Sequence, residues 1–392
     1  MRVAVPALCL VIGGACSFSP SPAATGGSDA GGIAMGGDGG SSTRQDAGSG
    51  GASADAPPVC YGSGPAMTCL DNAPTAAYPG GPMTVDTDIS STQCRSDVTL
   101  PKGNTVCVIA YTSILLDDTI SAHGSRPLVI VSADDFTIQG NGIVDAGSHG
   151  SGDPQAVGPA ANGSCNGGLD GVHGGGPGGS FAGLGGGGGT PNGLSGIAGF
   201  PPSSPSALRG GCPGNDGDSS PGSHGDGGGA VALVTNATLE IDGYIDASGA
   251  FGSGGNGQNY GGGGGGGTGG MIEIAADTVT GAGQVFAAGG GGGEGGENNN
   301  GTATDGKAGN DPTTSSFGAG AAGGDGFTTD AGAGGNGNGT NDVFPTYGNG
   351  GQSGTGSVHV GGGGGGGSSG YLFVHVTTNM FTGTTSPGGT AN

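Results

Sequence analysis

The chain has 392 residues, of which 105 are Gly, with no Trp, 32% apolar residues and 9% charged residues. Gly loses the most conformational freedom on ordering, so this composition argues against an ordinary compact core and against a helical fold. The formal charge is −23 and the seven basic residues, Arg2, Arg44, Arg95, Lys102, Arg126, Arg209 and Lys307, are scattered, which leaves no cluster to bind phosphate backbones and argues against nucleic acid as a partner.

Residues 1–16, MRVAVPALCLVIGGAC, carry one basic residue, an apolar run from Val3 to Ile12 and small residues ending at Cys16. This is a short secretory signal, too brief to span a bilayer. Its end, Gly13-Gly14-Ala15-Cys16, resembles the bacterial lipobox. The resemblance implies that Cys16 is acylated and becomes the mature N-terminus, with the chain anchored by lipid at the outer membrane or cell surface. Plain cleavage near Ala23-Ala24 is the alternative. The acidic chain repels anionic lipid, so a membrane partner must be reached through the anchor.

Residues 17–58 are Gly, Ser, Ala, Asp and Pro with almost no large apolar side chain. They read as a disordered tether, with a typical reach of about 35 Å. Residues 59–126 form a disulfide-bearing N-terminal β cap. Once Cys9 leaves with the signal and Cys16 is assigned to lipid, Cys60, Cys69, Cys94, Cys107, Cys165 and Cys212 remain, an even six in an oxidising compartment. Six cysteines admit many connectivities, of which sequential pairing is the preferred one. No Cys/His spacing suits zinc.

Strand-like cassettes follow. They lie at 104–122, 127–147, 229–249, 270–290 and 370–389, rich in β-branched residues. An apolar residue is followed three places later by Asp or Asn at Val131/Asp134, Leu233/Asn236, Ile274/Asp277 and Val376/Asn379. Short strands with Asx corners predict an all-β fold, a right-handed parallel β-helix over 127–392, since Asp and Asn tolerate the left-handed backbone of a corner. GGGGGGGTGGMIEI at 261–274 recurs as GGGGGGGSSGYLFV at 361–374, which implies duplication. Glycine-rich arms, 148–228 and 291–369, are then expected to be inserted between rungs as extended poly-Gly II-like struts whose backbones bond to one another.

The alternation of GG-x-G blocks with VALVT-like strands resembles bacterial glycine-rich surface proteins of the PE-PGRS style. The cassettes look like those of pectin-lyase-type β-helices, and the tether before a disulfide-bearing β domain resembles exported glycine-rich lipoproteins. The resemblance implies a surface role.

Candidate chemistry is sparse. G-x-G-x-x-G matches arise by chance at this Gly content, and GTATDGKA (301–308) has Ala308 where a phosphate loop holds Ser or Thr. No catalytic or cofactor-binding residue is assigned. Asp117, Asp118, Asp134, Asp135, Asp145, Asp242, Asp246 and Asp277 lie in or beside the cassettes and read as corner-turn residues; stacking could form an acidic stripe, and calcium, which would suit it, is the alternative reading. His123, His149, His173, His224, His359 and His375 sit mostly in Gly/Ser loops and read as polar surface. The expected function is a non-enzymatic structural or adhesive surface protein offering polar faces to glycans, other surface polymers or proteins. The alternative is a carbohydrate-active enzyme, which needs several carboxylates converging with Arg126 or Arg209.

Overall fold

The computed structural model describes residues 57–392 except 89–90, 97, 100–104, 151–155, 164, 166–167, 169–173, 191–195, 202–204, 300–301, 314–323, 325–330, 339–359, 388–389 and 392. The signal segment, Cys16 and the tether up to residue 56 lie outside the described residues.

The apolar runs become short strands. The first four are β1 (Val59–Tyr61), β2 (Thr68–Leu70), β3 (Met83–Asp86) and β4 (Val98–Thr99). The chain then makes triplets: β5 to β7 (Cys107–Tyr111, Ile114–Leu116, Thr119–His123), β8 to β10 (Leu128–Ser132, Phe136–Ile138, Ile143–Asp145) and β11 to β13 (Ala230–Thr235, Thr238–Ile241, Tyr244–Asp246). Next come β14 (Met271–Thr280) and β15 (Gln284–Phe286), the hairpin β16 (Glu297–Asn299) and β17 (Thr302–Thr304), and then β18 (Tyr371–Asn379), β19 (Thr384–Ser386) and β20 (Thr390–Ala391). The described helices are single 3-10 turns at Gly64–Ala66 and Gly257–Asn259.

Corresponding strands pair in parallel. Cys107, Leu128, Val231, Ile272 and Leu372 align across β5, β8, β11, β14 and β18, and Ile114, Phe136, Leu239 and Val279 align across β6, β9, β12 and β14. A separate six-strand sheet runs β19-β15-β13-β10-β7-β3.

This arrangement corrects the right-handed β-helix with arms inserted between rungs. The path β5-β8-β11-β14-β12-β9-β6 folds back at β14, and its ends, β5 and β6, are joined by Thr112 and Ser113, so the seven strands nearly close as a parallel barrel. The reason lies at Asp277. A fixed corner there would end the strand, yet β14 continues through it, pairing with β11 by its first half and with β12 by its second. β18 likewise runs on to Asn379.

Side-chain alternation divides the packing. Ile130, Leu233, Ile272, Ile274 and Leu372 enter the main core with Phe136, Ile138, Leu239, Ile241 and Ile245. On the other face Val129, Val131, Ala232, Val234 and Ala275 pack under Tyr61, Ala66 and Leu70 of the N-terminal hairpin. Burial on both faces explains why LVIVS and AVALVT read as unbroken apolar runs.

The glycine runs form a second body of contacts centred on residues 261–270, which are all buried. With a period of three, Gly264, Gly267 and Gly270 donate to Ser253, Ala250 and Ala247, whereas Gly262, Gly265 and Thr268 donate to Asp218, Asn215 and Cys212. Gly263, Gly266 and Gly269 donate to Gly362, Gly365 and Ser368. The carbonyls of the same run accept from Gly222, Gly225 and Gly228, from Gly176 and Gly179, and from Gly290, Gly293 and Gly296. Six neighbouring segments thus satisfy one buried backbone, as buried peptide groups require. The copy at 361–370 lies alongside at an offset of 100, with Gly364 against Gly264 and Gly367 against Gly267.

Glycine is required here by space. A Cβ on Gly264 would stand 2.0 Å from the Ser223 carbonyl oxygen, and one on Gly265 would stand 2.1 Å from that of Pro177. Three disulfides, Cys60–Cys69, Cys94–Cys107 and Cys165–Cys212, close chain separations of 9, 13 and 47 residues.

Gly265→Ala should therefore destabilise by about 1–3 kcal/mol through overpacking. Gly140→Ala, at a position with nothing within 4 Å, should stay within about 0.5 kcal/mol in the same urea titration. Equal effects at the two positions would contradict the close approach.

Candidate functional site

Two of the eight carboxylates singled out in the sequence meet. β10 and β13 are parallel neighbours in which Val144 faces Ile245 and Asp145 faces Asp246. Val144 and Ile245 enter the core, so the next residue of each strand emerges on the opposite face. Both carboxylates then cap the turn that follows: Gly147 N–H donates to Asp145 Oδ1 at 3.0 Å and Ser248 N–H donates to Asp246 Oδ1 at 2.7 Å. The turn returns His149, whose Nε2 lies 3.0 and 3.2 Å from the two oxygens of Asp145. Donor atoms of Asp145, His149 and Asp246 all lie within 4.8 Å of one another.

A third carboxylate lies nearby. Asp311 accepts from Phe251 N–H at 2.9 Å and from Gly150 N–H at 3.1 Å. Asp246 is only 7% exposed, whereas the His149 side chain, 45% exposed, closes the solvent side. Burial, reinforced by the charge of Asp145, pushes the Asp246 carboxyl up to about 7. The hydrogen bond to Asp145 holds the His149 imidazolium up to about 9. Asp311 is raised as well, chiefly by burial.

The remaining sequence candidates are spread out. Asp118 accepts from the N–H of the next residue, Thr119, whereas Asp135 and Asp242 accept from the N–H groups of Thr238 and Ala282, 103 and 40 residues away, and so tie together segments distant in the chain. Asp277 is an exposed residue inside β14. Arg126 donates to the carbonyls of Thr87, Asp88 and Val106, and Arg209 lies over the Phe181 ring at 5.0 Å, so neither joins the converging carboxylates. Gly306 is bonded into the glycine bundle through Gly255, and Gly301 lies outside the described residues. His224 contacts Asp216 at 2.7 Å and His375 lies 3.4 Å from buried Glu273, while His173 and His359 lie outside the described residues.

Sequence reasoning missed His149 and Asp311 as members of the site. The pair VDAGS and IDASG, at 144–148 and 245–249, each placing Asp at a strand end before a tight turn, marks Asp145 and Asp246 but neither His149 nor Asp311.

A different surface forms at one end of the glycine bundle. Asn256 N–H donates to the Ser220 carbonyl, Asn259 Nδ2 donates to Ser220 Oγ at 2.9 Å, and Gly257 N–H donates to Asp305 Oδ1 at 2.8 Å. The β16–β17 hairpin packs against the same turn. Ser219, Ser220 and Tyr260 have φ of 62°, 66° and 55°, a left-handed conformation that is uncommon in non-Gly residues and exceptional for a bulky one.

Comparison of the chain with protein families, with curated proteins and with solved structures returns no match. Among the described residues no helix is long and apolar enough to cross a membrane, and the three disulfides are compatible with export.

The raised His149 and Asp246 values predict a common pH trend. Stability from His149 is complete below the ordinary imidazole value of 6.5 and is lost as pH rises toward 9. Asp246, raised from 3.8 to about 7, costs stability progressively over that interval. Chelator-treated protein should melt at higher temperature at pH 5 than at pH 8, with Asp246→Asn reducing the difference. A melting temperature that is flat or rises over this range contradicts the assignment.

Proposed function

We infer that the protein is an exported glycine-rich lipoprotein with a non-enzymatic, adhesive surface role, anchored through lipid on Cys16 and held clear of the membrane by residues 17–58. The observation that carries this reading is the strained polar tip of the glycine bundle. Backbone strain in non-Gly residues collects where function requires an unusual display, and three such residues meet here. Ser220, Gln258, Asn259, Thr302 and Thr304 are exposed around a half-buried Tyr260. Amides and hydroxyls beside one aromatic ring suit a glycan, which offers hydroxyls and an apolar ring face.

The bundle supports the tip and does not itself offer its backbone. Its central N–H and C=O groups are already paired among neighbouring runs, so contact with a polymer falls to side chains at the end. A rigid platform limits the ordering cost of binding.

Retention on a panel of immobilised polysaccharides tests the reading. Tyr260→Gly removes the ring and relieves the left-handed strain together, so retention should fall at least about tenfold while the melting temperature stays within about 2 °C. No retention of the parent protein on any polymer, or retention indifferent to this change, overturns the adhesive role.

A further inference from the structure

The Asp145, His149 and Asp246 cluster lies apart from the polar tip and calls for a different explanation. The register of β10 and β13 sets two carboxylates on adjacent parallel strands, where the spacing is about 4.8 Å. Burying such a pair is costly unless positive charge compensates it. One imidazole supplies a single charge to Asp145, Asp246 and the nearby Asp311.

We propose that Asp145, His149 and Asp246 bind one divalent cation of the zinc class, with Asp311 as an outer carboxylate. Four features select this chemistry. The donors come from three side chains whose atoms already lie within 4.8 Å of one another, and tetrahedral ligands about 2.0–2.2 Å from an ion sit about 3.4 Å apart. Small inward rotations of the side chains close that gap. Asp246, 7% exposed, is directed into the cluster and not into solvent.

The imidazole nitrogen decides between metals. Calcium takes six to eight oxygen ligands, roughly, whereas zinc accepts His nitrogen together with carboxylate oxygen in a four-coordinate site. Calcium, the alternative that the acidic residues alone left open, is therefore disfavoured at this place. Backbone N–H groups of Gly147 and Ser248 fix one oxygen of each carboxylate, and this orients the other toward the ion. Three protein ligands leave the fourth position for water or for a donor from a bound molecule.

The test is direct metal binding by the whole chain, stripped with chelator and with free thiols alkylated. Calorimetry with zinc chloride and, separately, calcium chloride gives affinity, and elemental analysis after gel filtration gives stoichiometry. One zinc ion per chain is expected, with calcium bound at least about 100-fold more weakly. Asp246→Asn and His149→Gln should each weaken zinc by more than about tenfold, while His224→Gln, at the His224–Asp216 contact, leaves it unchanged. Zinc should also raise the melting temperature of the parent by several degrees but not that of His149→Gln, whose side chain is on the surface and whose fold is checked by circular dichroism. No stoichiometric zinc, or zinc binding that survives both ligand substitutions, overturns the proposal and leaves the His149–Asp145 contact as an ion pair alone.

Discussion

The structure depends on how closely one backbone can approach another when no Cβ intervenes. Around residues 261–270 the runs meet at distances that would put a Cβ far inside the closest non-bonded approach to a neighbouring carbonyl oxygen, for example 1.9 Å at Gly262 against Gly174. Every third residue repeats the same contact, so three sides of the run each give and take hydrogen bonds. Such an arrangement replaces side-chain packing with peptide pairing, which is why a chain with 105 glycines can order without a larger apolar core. The entropy that glycine loses is offset collectively, since no run could be satisfied without its neighbours.

The sheets and the bundle share one repeat, at an offset of 100 residues. Residues 261–270 lead directly into β14, and 361–370 lead directly into β18, so the offset that aligns Gly264 with Gly364 also aligns Ile274 with Val374. Strand pairing therefore sets the register of the glycine runs, and the runs hold the strand starts in place. Cys165–Cys212 adds a covalent tie close to the same centre, where the carbonyl of Cys212 accepts from Thr268. This is also how residues distant in sequence reach one site: Asp145 and Asp246 meet through strand register, and Asp311 comes from a segment bonded to the bundle at Gly291 through Asn310.

Much of this was legible in the residues. The strand cassettes at 127–147, 229–249 and 270–290 contain strands, and sequential cysteine pairing is the pairing present. The fold class was not legible, because an Asp three residues after an apolar position carries no information on whether the strand stops there. Asp134 follows the end of β8, whereas Asp277 lies inside β14 and the strand passes through it. The candidate site was half legible. Asp145 and Asp246 stood out as carboxylates, but His149 in a Ser-His-Gly loop looked like solvent-facing polarity until the turn after β10 folded it back onto Asp145. Asp311 had no local signal, since its role arises from accepting the N–H groups of Gly150 and Phe251.

If the glycine runs are ordered by mutual hydrogen bonding, native-state amide hydrogen exchange resolved along the chain will show it. The amides of 261–270 should be protected to a degree comparable with those of β11 and β14, because each of these residues is buried and donates to a backbone carbonyl. Complete exchange of 261–270 within seconds, while the strands remain protected, would contradict the account.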